Sequence, residues 1–429
     1  MMVKSEFSKK RANTLNWKFR LFIMIVYFLS IFLVEPFFRD DLMKKSIEII
    51  ELIQDFMGPD LLEVAAWLSL LGSNLVFSII FIITFSFTNI FKSYLLVMII
   101  CCCNFLVSTI NLFYGDGRPF YISNNRIIPY TCKMSYGNPS ANFLRSTAFY
   151  LSLWNIFIQS KTLRDKYLIK GFLLFIVVFI NIIIFLSDIA IGTQSVNQEI
   201  FGGLLGFGMY LTLFWLIDIY TNDSKTLLSI IKIKIFNYLM INFVFSLITL
   251  SSIYFNEHID NEQRNSWIDR IKNKCGYVHE NVLFENEDYL MLATVFSNIF
   301  AFIGLKNEFV YTFRSNINKW TKYNFSLEVK EVDSLFSSMD FTKDTQWNHN
   351  TFLISFLRLM VICIISCGLM SPYFLISYSD EFWLVLFVKI FLPFSCVVYF
   401  HFFIVKLVLK FLRLVNFSSN DLLSSTVDM

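Results

Sequence analysis

Polar residues that could do chemistry gather at three places where long apolar runs end. They share hydrogen-bonding side chains at predicted helix ends: Asn111, Arg118, Ser140, Asn142, Asp188, Gln194 and Gln198. A helix that begins near Ser140 would point its unpaired backbone amides at a bound anion. Arg118, held next to Pro119, offers a planar charge that can bind an oxyanion through two hydrogen bonds. These residues predict a binding site for an anionic or polar group.

No histidine, the usual side chain for proton transfer, lies in this part of the chain. The histidines all lie further along, at His258, His279, His349 and His401. An amide such as Asn142 has no transferable proton near neutral pH, and Gln194 lacks the basicity of a nucleophile. His279 is the candidate replacement, because it falls in a loop on the same predicted side as the polar residues.

The elements that must position these residues are membrane spans. Of the 429 residues, 56% are hydrophobic and 16% are charged. Apolar runs of about 20 residues recur, which is the length that crosses a bilayer as a helix. We predict an all-α, polytopic transmembrane helix bundle of roughly ten spans, approximately at 18–38, 61–87, 92–113, 141–160, 167–187, 199–219, 234–255, 288–306, 351–376 and 381–408.

Lysine and arginine concentrate in alternate loops, which predicts that both termini are cytoplasmic. Residues 1–17 are then a basic cytoplasmic N-terminus and residues 409–429 a cytoplasmic tail. The longest polar stretch, loop 307–350, is either a solvated connector or a docking site for a protein partner. The protein is expected in the endoplasmic reticulum, another endomembrane or the plasma membrane.

Segment 40–57 is too charged to cross a membrane, but one of its helical faces is apolar. That face consists of Leu42, Ile49, Ile50, Ile53, Phe56 and Met57. The pattern predicts either an interfacial helix on the non-cytoplasmic surface or a helix packed on the bundle.

Two of the eight cysteines fall in loops on the predicted non-cytoplasmic side. Cys132 and Cys275 would meet an oxidising compartment in a secretory membrane. We predict a disulfide between them, which would clamp loop 256–288 over loop 114–140. The other cysteines lie in predicted spans, where cysteine packs as a small apolar side chain. The sequence predicts no metal site, no cofactor and no nucleic-acid partner.

In order and spacing, the three polar segments resemble the signature of the phosphatidic-acid-phosphatase type 2 (PAP2) superfamily, which includes lipid phosphate phosphatases. GRPF at 117–120 and YGNPS at 136–140 match its first two motifs, and the third is matched by Ser187, Gly192, Gly202 and Gly203. The resemblance covers about residues 18–219. It implies a six-helix core that contacts membrane lipids, followed by about four further spans in residues 220–408.

The match fails at the positions that carry the family's chemistry. The family's lysine, general-acid histidine, arginine, attacking histidine and orienting aspartate are replaced, in that order, by Asn111, Asn142, Asp188, Gln194 and Gln198. The resemblance therefore implies a pseudophosphatase. Its near-neutral pocket, with Arg118 opposite Asp188, is expected to hold a lipid or sugar headgroup.

Three alternatives remain open from the sequence. Arg118 could simply pair with Asp188, so that nothing binds. The protein could be a working phosphatase of lipid phosphates that uses a residue outside the family pattern, such as His279. It could also be a subunit of a membrane complex or a lipid transporter, although few ionisable residues line the predicted spans.

Overall fold

The computed structural model describes residues 2–87, 90–123, 127–131, 135–158, 166–212, 261–275, 352–375 and 405–412, with single positions between 240 and 251. Every regular element in these residues is helical. The α-helices are α1 (Met2–Ser69), α2 (Asn74–Phe87), α3 (Ile90–Tyr114), α4 (Pro119–Ile122), α5 (Ala141–Ile158), α6 (Tyr167–Ala190), α7 (Val196–Leu211), α8 (Asn261–Cys275), α9 (Phe352–Leu375) and α10 (Val405–Phe411).

Helix α1 is longer than the sequence predicted, because it continues through the charged segment 40–57. Its regular geometry breaks at Gly58, whose φ of 67° is a left-handed conformation that glycine tolerates. Pro59 follows directly and has no N–H for the helical hydrogen-bond ladder. The predicted span 61–87 is also not continuous, since a 3-10 turn at Leu70–Gly72 separates α1 from α2.

Segment 40–57 packs on neighbouring elements of the bundle. Ser46 and Ile50 are buried, and the Val196 N–H donates a hydrogen bond to Ser46 Oγ at 3.1 Å. Phe56, on the predicted apolar face, is 89% exposed. These contacts favour the packed helix of the two alternatives, and a position at the membrane surface stays a prediction.

The helices have apolar outer faces. Within the part of the chain that the structure describes, three segments are long and apolar enough to cross a membrane: Phe19–Gly72, Ile99–Ile122 and Tyr167–Ala190. Large apolar side chains are exposed along them, including Phe37 of α1 at 81% and Leu168 of α6 at 91%. Such surfaces are unfavourable in water, whereas lipid tails solvate them. The chain is an integral membrane protein.

The first compact unit comprises Met1–Phe77, Cys102–Tyr220 and Ile248–Met291. Within it, α5 packs against α6 and α7, and α1 packs against the same two helices. Glycines allow the closest approach: a Cβ on Gly206 would lie 2.3 Å from the Leu144 carbonyl oxygen, and one on Gly202 would lie 2.7 Å from that of Ser140. Small residues bring helix backbones together in this way in membranes.

The second unit comprises Ser78–Cys101, Thr221–Leu247 and Leu292–Met429, and it has its own apolar core. The bounds of helix α9 agree with those of the span predicted at 351–376, and its crossing of the membrane stays a prediction. The predicted spans 234–255, 288–306 and 381–408 lie wholly or largely outside the described residues, as do loop 307–350 and the four histidines. The core consists of Phe81, Phe85, Val97, Cys101, Ile362, Val405 and Leu409.

Candidate functional site

Arg118 precedes the short helix α4, and its side chain is buried in a cradle of oxygen atoms. Nε donates to the Ser135 carbonyl oxygen at 2.7 Å. Nη1 donates to the Thr193 carbonyl oxygen at 3.0 Å, and Nη2 to that of Tyr136 at 2.9 Å. Nη2 also donates to Ser135 Oγ at 2.6 Å. The guanidinium therefore joins the segment before α5 to the connection between α6 and α7.

Gln194 takes the remaining guanidinium donor. In the amide orientation that satisfies both its ends, its oxygen accepts from Arg118 Nη1 at 2.6 Å. Its nitrogen then donates to the Gly137 carbonyl oxygen at 2.9 Å and to Gln198 Oε1 at 2.8 Å. Arginine has five N–H donors, so each donor of Arg118 has an acceptor within the protein. None is left for a phosphate oxygen or for Asp188, which the sequence had placed opposite Arg118.

Gln198 links the start of α7 to the residues before α4. Its Oε1 accepts from the Ser195 N–H at 3.1 Å, as in a capping box. Its Nε2 donates to the Gly117 carbonyl oxygen at 3.0 Å. A Cβ on Gly137 would lie 2.5 Å from this nitrogen, so the glycine leaves room for the amide. Both ends of the Gln198 amide are therefore hydrogen-bonded within the protein.

Asn111 and Ser140 also bond within the protein. Asn111, with its amide oriented to suit its neighbours, donates to the Asn138 carbonyl oxygen at 2.6 Å. Ser140 Oγ donates to Glu199 Oε1 at 2.8 Å. The Ser140 N–H donates to the Gln198 carbonyl oxygen at 3.0 Å. This backbone amide at the start of α5, which the sequence assigned to a ligand, is therefore taken by α7.

Asn142 of α5 connects a buried carboxylate to a buried guanidinium. Its Nδ2 donates to the two oxygens of Asp188 at 3.3 and 3.1 Å, and Ser69 Oγ donates to the same carboxylate. Its Oδ1 accepts from Arg145 Nη2 at 3.1 Å. Both ends of the amide are therefore used, and the sequence-predicted Asn142 and Asp188 meet directly.

The buried hydrogen-bond network around Arg118 and Asn142 also contains residues that were not predicted from the sequence, among them Ser69, Arg145 and Glu199. Arg145 also donates to Asn104 Oδ1 at 3.1 Å. Its place three residues after Asn142 is the signal that could have found it, since positions i and i+3 share a helical face. Ser69 lies at the end of α1, where no local pattern points towards the site.

The formal charges of the network balance. Arg118 and Arg145 supply two cations, while Asp188 and Glu199 supply two anions, and each side chain belongs to a residue at most 9% exposed. Burial of ions is strongly unfavourable unless they are paired and hydrogen-bonded. Each of the four side chains is hydrogen-bonded, and the Asn142 amide joins the Arg145 guanidinium to the Asp188 carboxylate. Among the described residues, no group of three or more His, Cys, Asp or Glu side chains could hold a metal ion.

Helix α8 packs against α4, the short helix that directly follows Arg118. Arg270 Nη1 donates to the Tyr121 carbonyl oxygen at 2.7 Å, and Lys274 Nζ donates to that of Phe120 at 3.1 Å. Burial, and then the charge of Arg270, lowers the pKa of Lys274. Helix α8, which lies in loop 256–288, therefore contacts loop 114–140, and the predicted disulfide clamp between the two loops stays a prediction.

Cys275, at the end of α8, is disulfide-bonded. Cys101, Cys102, Cys103 and Cys363 form no disulfide, so its partner is none of these four. Cys132 lies outside the described residues, and the pairing of Cys132 with Cys275 stays a prediction.

Comparison with protein families finds no match, and comparison with curated proteins also finds none. Among solved structures, the chain is similar to the crystal structure of the first transmembrane PAP2 type phosphatidylglycerolphosphate phosphatase from Bacillus subtilis. The TM-score is 0.40 at 16% sequence identity, and the match covers 46% of this chain and 97% of that chain. A TM-score of 0.40 does not establish a common fold.

Proposed function

We propose that this membrane protein is a catalytically inactive relative of the PAP2 lipid phosphatases, in which the former phosphate site has become a structural polar core. The observation that carries the proposal is the use of Arg118. In an oxyanion site the donors must be free to meet developing negative charge. Here all five guanidinium donors are held by residues 135–136, Thr193 and Gln194.

The residues at the reactive motif positions support the same proposal. Gln194 and Asn142 are amides, which supply neither a nucleophile nor a general acid. Both are fixed by hydrogen bonds at each end. A lipid or sugar headgroup at Arg118 would have to displace these internal contacts, so we place no headgroup there. Catalysis through His279 and docking through loop 307–350 concern residues outside the described part of the chain.

The direct test is phosphate release from dioctanoyl phosphatidate by the purified full-length protein in detergent. We expect the rate to equal that of a heat-denatured sample at every substrate concentration. A His279→Ala variant is the matched control for a replacement nucleophile, and we expect it to behave like the unmodified protein. Saturable phosphate release that is lost on Gln194→Ala or His279→Ala substitution would overturn the proposal.

A second measurement tests, without relying on catalysis, whether the Arg118 donors are available to an anion. A ligand that binds only the folded state raises the melting temperature with its concentration. We expect millimolar orthovanadate, a phosphate analogue, to leave the melting temperature of the full chain unchanged. A saturable rise would show that Arg118 can release its internal acceptors to bind an anion.

A further inference from the structure

A cavity of about 280 Å³ lies between α1 and α7, apart from the network around Arg118. Its wall is mostly apolar, but it contains a few polar side chains. The lining residues are Ser30, Ile31, Val34, Glu35, Phe38, Arg39, Leu42, Asn197, Ile200, Phe201 and Leu204. A concave apolar wall with a small number of polar groups is the usual form of a small-molecule site.

Asn197 is the first polar group that points to a ligand. The residue is 5% exposed, and its Oδ1 accepts a hydrogen bond from Ser195 Oγ at 2.6 Å. Its Nδ2 has no hydrogen-bond partner among the described residues. A buried donor without an acceptor costs about 1–3 kcal/mol, so this position favours a ligand that brings an acceptor.

Glu35 is the second polar group of the cavity. Its Oε1 accepts from Asn138 Nδ2 at 2.9 Å, and the Tyr114 side chain also interacts with the carboxylate. Its Oε2 is buried and has no hydrogen-bond partner among the described residues. The cavity therefore offers a buried acceptor on α1 and a buried donor on α7, and a hydroxyl group can serve either of them.

The surrounding charges disfavour an anionic head. Arg39 lines the cavity, but its Nη1 lies 3.4 Å from Asp116 Oδ2 and its Nε lies 3.6 Å from Asp40 Oδ1. With Glu35 included, three carboxylates stand against one guanidinium. A phosphate head would therefore meet repulsion, whereas an uncharged hydroxyl head would not.

The apolar part of a ligand has a path into the membrane. Val34 and Phe38 on α1 are 51% and 58% exposed, and Ile200 and Leu204 on α7 are also exposed. They form the rim of the cavity on helices whose outer faces meet lipid. An acyl chain can leave the cavity along this rim without crossing water.

We propose that the cavity between α1 and α7 binds an uncharged membrane lipid with a hydroxyl-bearing head, such as a diacylglycerol, with its hydroxyl and ester oxygens on Glu35 and Asn197. This site differs from the polar core proposed above, because none of its lining residues is an acceptor of Arg118, and its polar groups Glu35 and Asn197 were not singled out by the sequence. It also gives the chain a lipid ligand that needs no phosphate-binding residue.

The test compares three lipids that share short acyl chains, added to the purified full-length protein. Dioctanoylglycerol is expected to raise the melting temperature saturably, while dioctanoyl phosphatidate and dioctanoyl phosphatidylcholine are expected to have no saturable effect. Equal shifts with all three lipids, or a shift only with the anionic one, would overturn the proposal.

Two substitutions test whether dioctanoylglycerol binds in the cavity between α1 and α7. Asn197→Asp keeps the acceptor for Ser195 but replaces the unpaired donor by a carboxylate oxygen and adds a negative charge, so we expect it to weaken dioctanoylglycerol binding by at least about tenfold. Ile200→Trp fills the cavity from its exposed rim and should abolish binding even if the first variant folds poorly. Leu186→Trp, on an exposed position of α6 outside the cavity, is the matched control and should bind normally. Unchanged binding by Ile200→Trp would also refute the site.

Discussion

The side-chain amide of Asn142 donates a hydrogen bond to the Asp188 carboxylate at 3.1 Å, and so joins the first turn of α5 to the last turn of α6. The same amide accepts from Arg145. One residue thus mediates between opposite charges that are both removed from water. This arrangement explains why a polar residue stands at Asn142 in the absence of a reaction.

Replacing Asn142 with leucine should destabilise the protein by about 2–3 kcal/mol, because Asp188 and Arg145 each lose a buried hydrogen bond. The measurement is the melting temperature of the purified protein in detergent. Asn155→Leu is the matched control on the same helix, since the Asn155 amide meets Tyr210 only at 3.5 Å. If both variants melt at the same temperature, the hydrogen bonds from Asn142 to Asp188 and Arg145 do not stabilise the protein.

Arg118→Lys should destabilise the protein by at least about 2 kcal/mol, although it conserves the charge. A lysine ammonium is a single point with three donors, and it cannot reach acceptors on Ser135, Tyr136 and Thr193 together. Thermal unfolding again provides the measurement.

The control for this substitution is Arg270→Lys, at a second arginine that binds backbone oxygens. Both contacts of Arg270 come from one nitrogen, Nη1, to Tyr121 and Ile122. An ammonium can reproduce that geometry, so we expect a smaller loss. An Arg118→Lys variant as stable as Arg270→Lys would argue against hydrogen bonds from every guanidinium donor of Arg118.

Gly206→Ala should loosen the contact between α5 and α7, because the new methyl group would lie 2.3 Å from the Leu144 carbonyl oxygen. The backbone cannot yield without separating the helices, and overpacking of this kind costs about 1–3 kcal/mol. Gly171→Ala is the control, because no atom lies within 4 Å of a Cβ there. We expect Gly171→Ala to be neutral or to stabilise α6 by up to about 1 kcal/mol. Equal melting temperatures for the two variants would contradict the close packing.

Cys132→Ser should expose the Cys275 thiol to alkylation and lower the melting temperature, because a native disulfide contributes about 2–4 kcal/mol. Peptide mapping by mass spectrometry under non-reducing conditions identifies the labelled cysteine. Cys363→Ser, at a cysteine that forms no disulfide, is the control and should leave Cys275 unlabelled. If Cys275 stays protected in Cys132→Ser, its partner is a different cysteine.

The sequence predicted the helical class and several helix positions, because long apolar runs and polar helix ends are local signals. It also named Arg118, Asn142 and Asp188 as neighbours, since their motif spacing resembles that of a known family. The specific contacts were not predictable. Ser69 reaches Asp188 only because α1 ends where it does, and that depends on the break at Gly58 and on packing between distant segments.

The sequence predicted that Arg118 lies opposite Asp188, and the structure differs from this prediction for a related reason. Sequence spacing indicates which residues are close, but it does not show which acceptors compete for a donor. Backbone oxygens at Ser135, Tyr136 and Thr193 carry no sequence signature, yet they occupy most of the Arg118 guanidinium. The prediction considered side chains alone, whereas backbone oxygens are the main acceptors of the Arg118 guanidinium.

The buried network also constrains how the protein is made. Arg145 and Asp188 lie on α5 and α6, and an isolated span that carries such a residue into lipid is strongly disfavoured. The partners of these ions include Ser69 of α1, Asn104 of α3 and Asn142 of α5. We therefore expect the insertion machinery to keep the earlier helices in a protected setting until α6 has been synthesised. Truncation just before Tyr167, which removes Asp188, is expected to give a chain that the cell's quality control recognises and degrades.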